Sequence, residues 1–205
     1  MKGRRLTPEI LDSLPPNDPG ALASRQDLQR LHSALGQIRL WRCWLRQKFR
    51  DRPPSSLVDL GSGDGHLITR VLPLAFPSGG GGARLFFVDP QPSIPESSLN
   101  LLRRQNWLPT VVASGALEWA REAPPTELIL SNLFLHHLNH WSRMGCRLLS
   151  MFHCHPVTLH DARVSVEAGF HGTELSALWP QESCWQTTEF RRGLFNHFFS
   201  AEKSP

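Results

Sequence analysis

The sequence predicts an α/β fold built on a Rossmann-like, doubly wound and mostly parallel sheet. Three observations predict it: an apolar strand that runs into glycines, an acid that ends the next strand, and further strands that alternate with helical patterns. Strands that alternate with helices form a parallel sheet covered on both faces. Because such sheets bind ligands at the carboxyl ends of their strands, we expect the functional residues in the turns that follow the strands.

The first strand and its turn, Leu57–Gly65, read L-V-D-L-G-S-G-D-G. Its apolar residues indicate a buried parallel strand, and its glycines indicate a sharp turn into a helix that begins near His66. Glycine adopts backbone angles that are closed to other residues, and its bare backbone lets a ligand lie against it. Alone, G-x-G-x-G is only a weak signal for nucleotide binding.

The second predicted strand, Arg84–Val88, ends in Asp89. A carboxylate at the tip of the strand beside a glycine loop is placed to accept hydrogen bonds from ribose hydroxyls. The run Gly79–Gly82 delays this strand, and we interpret it as an extended, flexible loop.

Two more strands are predicted at Thr110–Ala113 and Glu127–Leu130. The first leads into S-G-A-L-E-W and the second into S-N-L-F-L-H-H-L. An antiparallel pair, Ser183–Phe190 and Leu194–Ser200, is expected to finish the sheet. Residues 139–160 offer little room for the usual helix and strand, which favours a variant shortened after the fourth strand.

Length and composition narrow the possible functions. The chain has 205 residues, and we expect an N-terminal arm and helical prefix (residues 1–52) before a Rossmann-like domain (residues 53–205). No apolar run approaches the roughly 20 residues of a membrane span, so no membrane partner is expected. The cysteines are scattered, which favours a reducing cytoplasm over a disulfide framework. We expect no metal site.

The charge is mildly basic at +4 and is concentrated in the prefix helices over roughly residues 21–50. Arginines recur there at helical spacing, and apolar residues from Leu31 to Phe49 recur on another face. The basic face is either a solvated surface, a surface for an anion or RNA, or a partner-binding helix.

Together these residues resemble the class I S-adenosylmethionine-dependent methyltransferases of the small-molecule type, over roughly residues 55–140. D-L-G-S-G-D-G resembles the family's first motif, Asp89 its ribose-binding acid, and S-N-L-F-L-H-H-L the segment after its fourth strand. The resemblance implies S-adenosylmethionine as the cofactor, with its methionyl ammonium near Asp59 and its adenine near Ala116. The implied cofactor-binding residues are Asp59, Gly61, Ser62, Gly63, Gly65, Asp89, Ala116, Leu117 and Asn132.

The resemblance also implies methyl transfer to a small-molecule acceptor, which we expect at oxygen. His136 or His137 is the candidate general base, because histidine titrates near neutrality. The alternative is that both histidines begin a helix and have no chemical role.

Other functions stay open. A cofactor-binding but catalytically silent protein, such as a regulator or a degenerate paralogue, would fit the short C-terminal third. An RNA methyltransferase would use the basic helix, but base methylation commonly uses a Pro-Pro-aromatic segment that is missing here, so nucleic acid is not an expected partner. A NAD-dependent oxidoreductase would share the glycine loop and the acid, but the spacing is not G-x-G-x-x-G and the chain has no tyrosine. The sequence does not define the acceptor or the oligomeric state.

Overall fold

A computed structural model describes residues 7–15, 17–132, 154–168, 173, 176–177, 185–192 and 196–203. They form two compact units: Leu14–Asn132, and the described residues of Met1–Ser13 together with those of Leu133–Pro205. None of the described helices has the length and apolar character that a membrane crossing requires. The predicted boundary after residue 52 stays a prediction.

A parallel four-stranded sheet in the order β3-β2-β1-β4 forms the centre of the first unit. Its strands are β1 (Ser56–Leu60), β2 (Ala83–Asp89), β3 (Trp107–Ala113) and β4 (Leu128–Ser131). The chain passes from β1 outward to β2 and β3 and then returns to the other side of β1, which is the doubly wound arrangement. The predicted Rossmann-like fold class is therefore confirmed, and all four predicted strands are present.

Five helices of the first unit alternate with or precede these strands: α1 (Pro19–Ala34), α2 (Gln37–Phe49), α3 (His66–Ala75), α4 (Glu96–Arg104) and α5 (Ala116–Glu122). The α1 and α2 helices are the predicted prefix. Asp18 caps α1, since its carboxylate accepts hydrogen bonds from the N–H groups of Gly20 and Ala21 at 2.7 and 3.2 Å. Such a cap satisfies N–H groups that no carbonyl of the helix can reach.

The core of this unit surrounds the central strand. Leu57 and Val58 of β1 are fully buried, as expected for a parallel strand covered on both faces. Trp41 and Leu45 of α2 are also buried, and both belong to the predicted apolar stripe. Burial of each such side chain contributes about 1.5–3 kcal/mol, which stabilises the packing of the prefix helices.

The glycine run before β2 forms a packed turn, so the interpretation as a flexible loop is wrong. The N–H of Gly80 donates to the carbonyl of Gln105 at 2.7 Å, and the N–H of Gly82 donates to that of Asn106 at 2.7 Å. A Cβ on Gly80 would lie 2.4 Å from Cδ2 of Trp107. A side chain does not fit there, and the glycine makes room for a tryptophan that is 1% exposed.

The second unit contains three described elements of regular structure beyond its N-terminal arm: α6 (Pro156–Ala168), β5 (Trp185–Arg192) and β6 (Asn196–Lys203). The two strands are antiparallel to each other, as predicted, but among the described residues they form a two-stranded sheet of their own, so the expectation that they finish the main sheet is not met. Asp161 of α6 accepts hydrogen bonds from the N–H groups of Ile10 and Leu11 at 2.7 and 2.9 Å. These bonds tie the N-terminal arm to α6.

Candidate functional site

The carboxyl ends of three strands meet at one edge of the sheet. The end of β1 is in register with the ends of β2 and β4. Gly61, Asp89 and Asn132 stand at these ends and are therefore neighbours. The strand order reverses between β1 and β4, and open α/β sheets bind their ligands where it reverses.

Three glycines shape the loop between β1 and α3. Gly61, Gly63 and Gly65 have φ angles of 72°, 54° and 65°, in a region that other residues rarely adopt. At Gly61 and Gly63, nothing lies within 4 Å of the position that a Cβ would take. At Gly65, by contrast, a Cβ would lie 3.1 Å from Cγ1 of Ile94. The first two glycines thus leave the backbone open to a ligand, whereas the third serves close packing.

Asp89 is anchored to this loop through both of its carboxylate oxygens. Oδ2 accepts a hydrogen bond from the N–H of Gly63 at 2.9 Å, and Oδ1 accepts one from the N–H of Gln91 at 2.8 Å. A carboxylate has about four lone-pair sites, so each oxygen can accept another hydrogen bond. The carboxylate is held rigidly beside the loop and keeps capacity for a ligand's hydroxyl groups.

Asp59 is a buried acid, only 5% exposed, beneath the loop. Burial, followed by the negative charges of Asp89 and Asp64, raises the pKa of Asp59 from 3.8 to about 8. Within the described part of the chain, no hydrogen bond or ion pair stabilises the ionised form of its carboxylate. The site therefore favours a cation next to Asp59.

Asp64 also belongs to the site, although no sequence argument selected it. Its Oδ1 accepts a hydrogen bond from the N–H of His66, the first residue of α3, at 3.0 Å. Its Oδ2 accepts one from Nε2 of Gln29 at 2.6 Å. The acid within the glycine motif thus connects the loop to the helical prefix. Its place inside G-S-G-D-G was the signal that could have marked it.

Asn132, which follows β4, contacts two side chains of the prefix. Nε1 of Trp41 donates a hydrogen bond to Oδ1 of Asn132 at 3.0 Å, and Nδ2 of Asn132 lies 3.2 Å from Nε2 of His32. Burial lowers the pKa of His32 to about 4, although the charge of Asp64 opposes the shift. The sequence predicts Trp41 only as part of an apolar stripe, and no motif identifies His32. The contacts of these residues with Asn132 are therefore not predicted from the sequence alone.

The segment after β3 lies on the other side of Asp89. Ala116 and Leu117 are the first residues of α5, and the N–H of Ser114 donates to the carbonyl of Asp89 at 3.1 Å. The hydroxyl of Ser114 donates to Oε2 of Glu118 at 3.0 Å. Glu118 therefore adds a carboxylate to this side of the site, and no sequence motif identifies this residue.

The remaining predicted residues divide into two groups. The hydroxyl oxygen of Ser62 is buried and has no hydrogen-bond partner among the described residues. A buried hydroxyl without a partner lowers the free energy of unfolding by about 1–3 kcal/mol unless a ligand forms a hydrogen bond with it.

His136, His137 and residues 139–153 lie outside the described residues. Among the residues that are described, no three His, Cys, Asp or Glu side chains are grouped so that they could hold a metal ion.

Comparisons with known proteins give similarities of fold. No protein-family model and no curated protein matches the sequence. The plantazolicin methyltransferase BpumL, solved in complex with SAH, is 13% identical, with a TM-score of 0.49 over 87% of this chain and 77% of that chain. A proposed O-methyltransferase from Klebsiella pneumoniae is 14% identical, with a TM-score of 0.43 over 96% of this chain and 94% of that chain.

Similarity of this degree does not define a reaction. The parallel strand order, the glycine loop after β1 and the acid at the end of β2 are observed in this chain itself. They are the arrangement expected of a class I methyltransferase fold. The function proposed below therefore rests on the residues of this chain.

Proposed function

We propose that this chain is an S-adenosylmethionine-dependent methyltransferase that acts on a small-molecule acceptor, at oxygen. One observation carries the proposal: three acids, Asp59, Asp64 and Asp89, surround the open glycine loop, and burial together with the charges of the other two raises the pKa of Asp59. The cofactor has an ammonium and a sulfonium group, and nearby negative charges favour both. A dinucleotide would bring two phosphate charges to the same loop, where these acids would repel them.

The residues at the loop fit the methionine and ribose parts of this cofactor. Asp59 would hold the methionyl ammonium, whose positive charge would offset the burial of its carboxylate. Gly61 and Gly63 would lie against the cofactor, because the space beside them is open. The unpartnered hydroxyl of Ser62 would gain a hydrogen-bond partner. Asp89 would accept hydrogen bonds from the ribose hydroxyls.

The adenine would lie near the start of α5. Ala116 and Leu117 would border the ring, as the resemblance implies. Glu118 would accept a hydrogen bond from the adenine amino group, since its carboxylate is held beside Ser114. Asn132, at the end of β4, would contact the methionine part or the acceptor.

When bound, the cofactor supplies an activated methyl group on its sulfonium. The protein then positions the acceptor, excludes water and removes a proton from a weakly acidic hydroxyl. We propose His136 or His137 for the proton transfer. A catalytically silent protein would share the binding site and lack this step, so turnover distinguishes it from an enzyme.

Calorimetric titration of the purified chain with S-adenosylmethionine, S-adenosylhomocysteine and NADH tests the proposal. We expect binding of the first two and none of NADH. Asp51→Asn is a suitable control, because this acid is 88% exposed and its loss should leave affinity unchanged. Binding of NADH alone would contradict the proposal, as would the absence of binding to any of the three.

A further inference from the structure

We infer that Trp41 and His32 of the helical prefix are positioning residues that hold the side-chain amide of Asn132 in one orientation for ligand binding. The inference rests on the proposed function, in which Asn132 contacts the cofactor or the acceptor. It assigns to the prefix a direct part in forming the site, beyond covering the domain.

The donors and acceptors define the orientation of the amide. The indole N–H of Trp41 is only a donor, so the atom of Asn132 at 3.0 Å from it is the carbonyl oxygen, Oδ1. The atom 3.2 Å from His32 is then the amide nitrogen, Nδ2, which only donates. Nε2 of His32 must therefore accept, and the imidazole is neutral with its proton on Nδ1.

This orientation leaves Asn132 with unused hydrogen-bonding capacity. A side-chain amide has two N–H groups and two lone pairs, and the prefix uses one of each. One N–H and one lone pair remain for a ligand. Without Trp41 or His32, the amide could rotate by a half-turn, and its N–H donor and its oxygen acceptor would exchange places. A ligand that needs both groups in their present positions would then bind more weakly.

The surroundings of His32 keep it in the accepting form. Its pKa of about 4 means that it is neutral at pH 7, and the charged or titratable groups that influence it are Asp64 of the loop and His66 of α3. Asp64 also binds Gln29, one turn before His32 on the same helix. The prefix therefore contacts the loop and Asn132 together.

A double-mutant cycle on S-adenosylhomocysteine affinity tests the inference. W41F keeps an aromatic ring and removes the N–H donor, and N132A removes the amide. We expect W41F to weaken binding about fivefold in the native background, which corresponds to about 1 kcal/mol, and to have no further effect in the N132A background. W44F is the matched control, because Trp44 packs edge-on against Trp41 with ring centroids 5.8 Å apart and has no bond to Asn132 among the described contacts.

Two substitutions at His32 separate hydrogen bonding from packing. H32Q offers a side-chain oxygen as an acceptor near the place of Nε2, whereas H32L fills space without one. We expect H32Q to keep affinity within about twofold of the native protein, and H32L to lose about as much as W41F. Equal losses for H32Q and H32L, or equal effects of W41F with and without Asn132, would show that these residues only support the fold and would overturn the inference.

A ligand-free measurement separates this inference from the proposed function. Nitrogen-15 NMR of the imidazole at pH 7 should show His32 with its proton on Nδ1, and W41F should shift the Nδ2 signal of Asn132. A proton on Nε2 would overturn the inference even if the cofactor binds. If the native protein does not bind S-adenosylhomocysteine, the proposed function fails and the positioning role fails with it.

Discussion

The N–H of Gly63 donates a hydrogen bond to Oδ2 of Asp89 at 2.9 Å. This bond connects the loop after β1 to the acid that ends β2, and it fixes the carboxylate where the strand order brings three strand ends together. Gly63 and Asp89 are therefore held together at the edge of the sheet where the candidate site lies.

The first prediction concerns the stability of the fold around Asp59. Its pKa is raised from 3.8 to about 8 in the folded protein, so the folded state retains a proton that the unfolded chain loses above pH 4. The contribution of Asp59 to the free energy of unfolding is therefore largest below about pH 4 and decreases as the pH rises towards 8. Asp59→Asn should remove this decrease and raise the Tm at pH 8 by at least about 3 °C, the shift that ~1 kcal/mol produces in a chain of this size.

Asp59→Asn should weaken ligand binding although it stabilises the fold. Asp59→Asn cannot pair with the methionyl ammonium, so its affinity for S-adenosylhomocysteine should fall about tenfold or more. In the native protein at pH 7, binding should release a proton from Asp59, which is measured as a binding enthalpy that depends on the buffer. A variant that is more stable and binds equally well would remove Asp59 from the proposed site.

The second prediction concerns the packed turn before β2. Gly80→Ala would place a methyl group against the Trp107 ring, and we expect a loss of about 1–3 kcal/mol in the free energy of urea unfolding. Gly115→Ala is the matched control, since nothing lies within 4 Å of the added carbon and its φ is −69°. Similar stability of the two variants would contradict the packing described for Gly80.

The third prediction separates catalysis from binding. If His136 or His137 is the general base, His136→Ala or His137→Ala should lower turnover about 100-fold while cofactor affinity changes little. Methyl transfer from labelled S-adenosylmethionine to a panel of hydroxylated acceptors, together with calorimetry, measures both quantities. Normal turnover in both variants would exclude these histidines. Loss of affinity together with turnover would indicate a structural role.

The sequence predicts the strands and the loop well because their signals are local. A buried strand, a glycine turn and an acid at the next strand end each occupy a few consecutive residues. The parallel sheet then brings these segments together with little further information, since the ends of parallel strands share one edge. The positions of Asp59, the loop glycines and Asp89 in the fold are all predicted in this way.

The contacts of the prefix helices with Asn132 join residues that are far apart in the chain, so sequence patterns do not predict them. Asn132 is 91 residues from Trp41 and 100 residues from His32 along the chain. An amphipathic pattern identifies the buried face of a helix, but it does not show which buried side chain has a polar partner. The glycine run shows the same limit, because its packing depends on Trp107, which belongs to a different strand.

Titration of S-adenosylhomocysteine into the native protein and into Asp89→Ala tests the central claim most directly. The native chain should bind, and the variant should bind at least about tenfold more weakly, because two charge-assisted hydrogen bonds to the ribose are lost. Asp51→Asn should behave like the native protein, and circular dichroism should show that all three are folded. Unchanged affinity in a folded Asp89→Ala variant would contradict the assignment of the site.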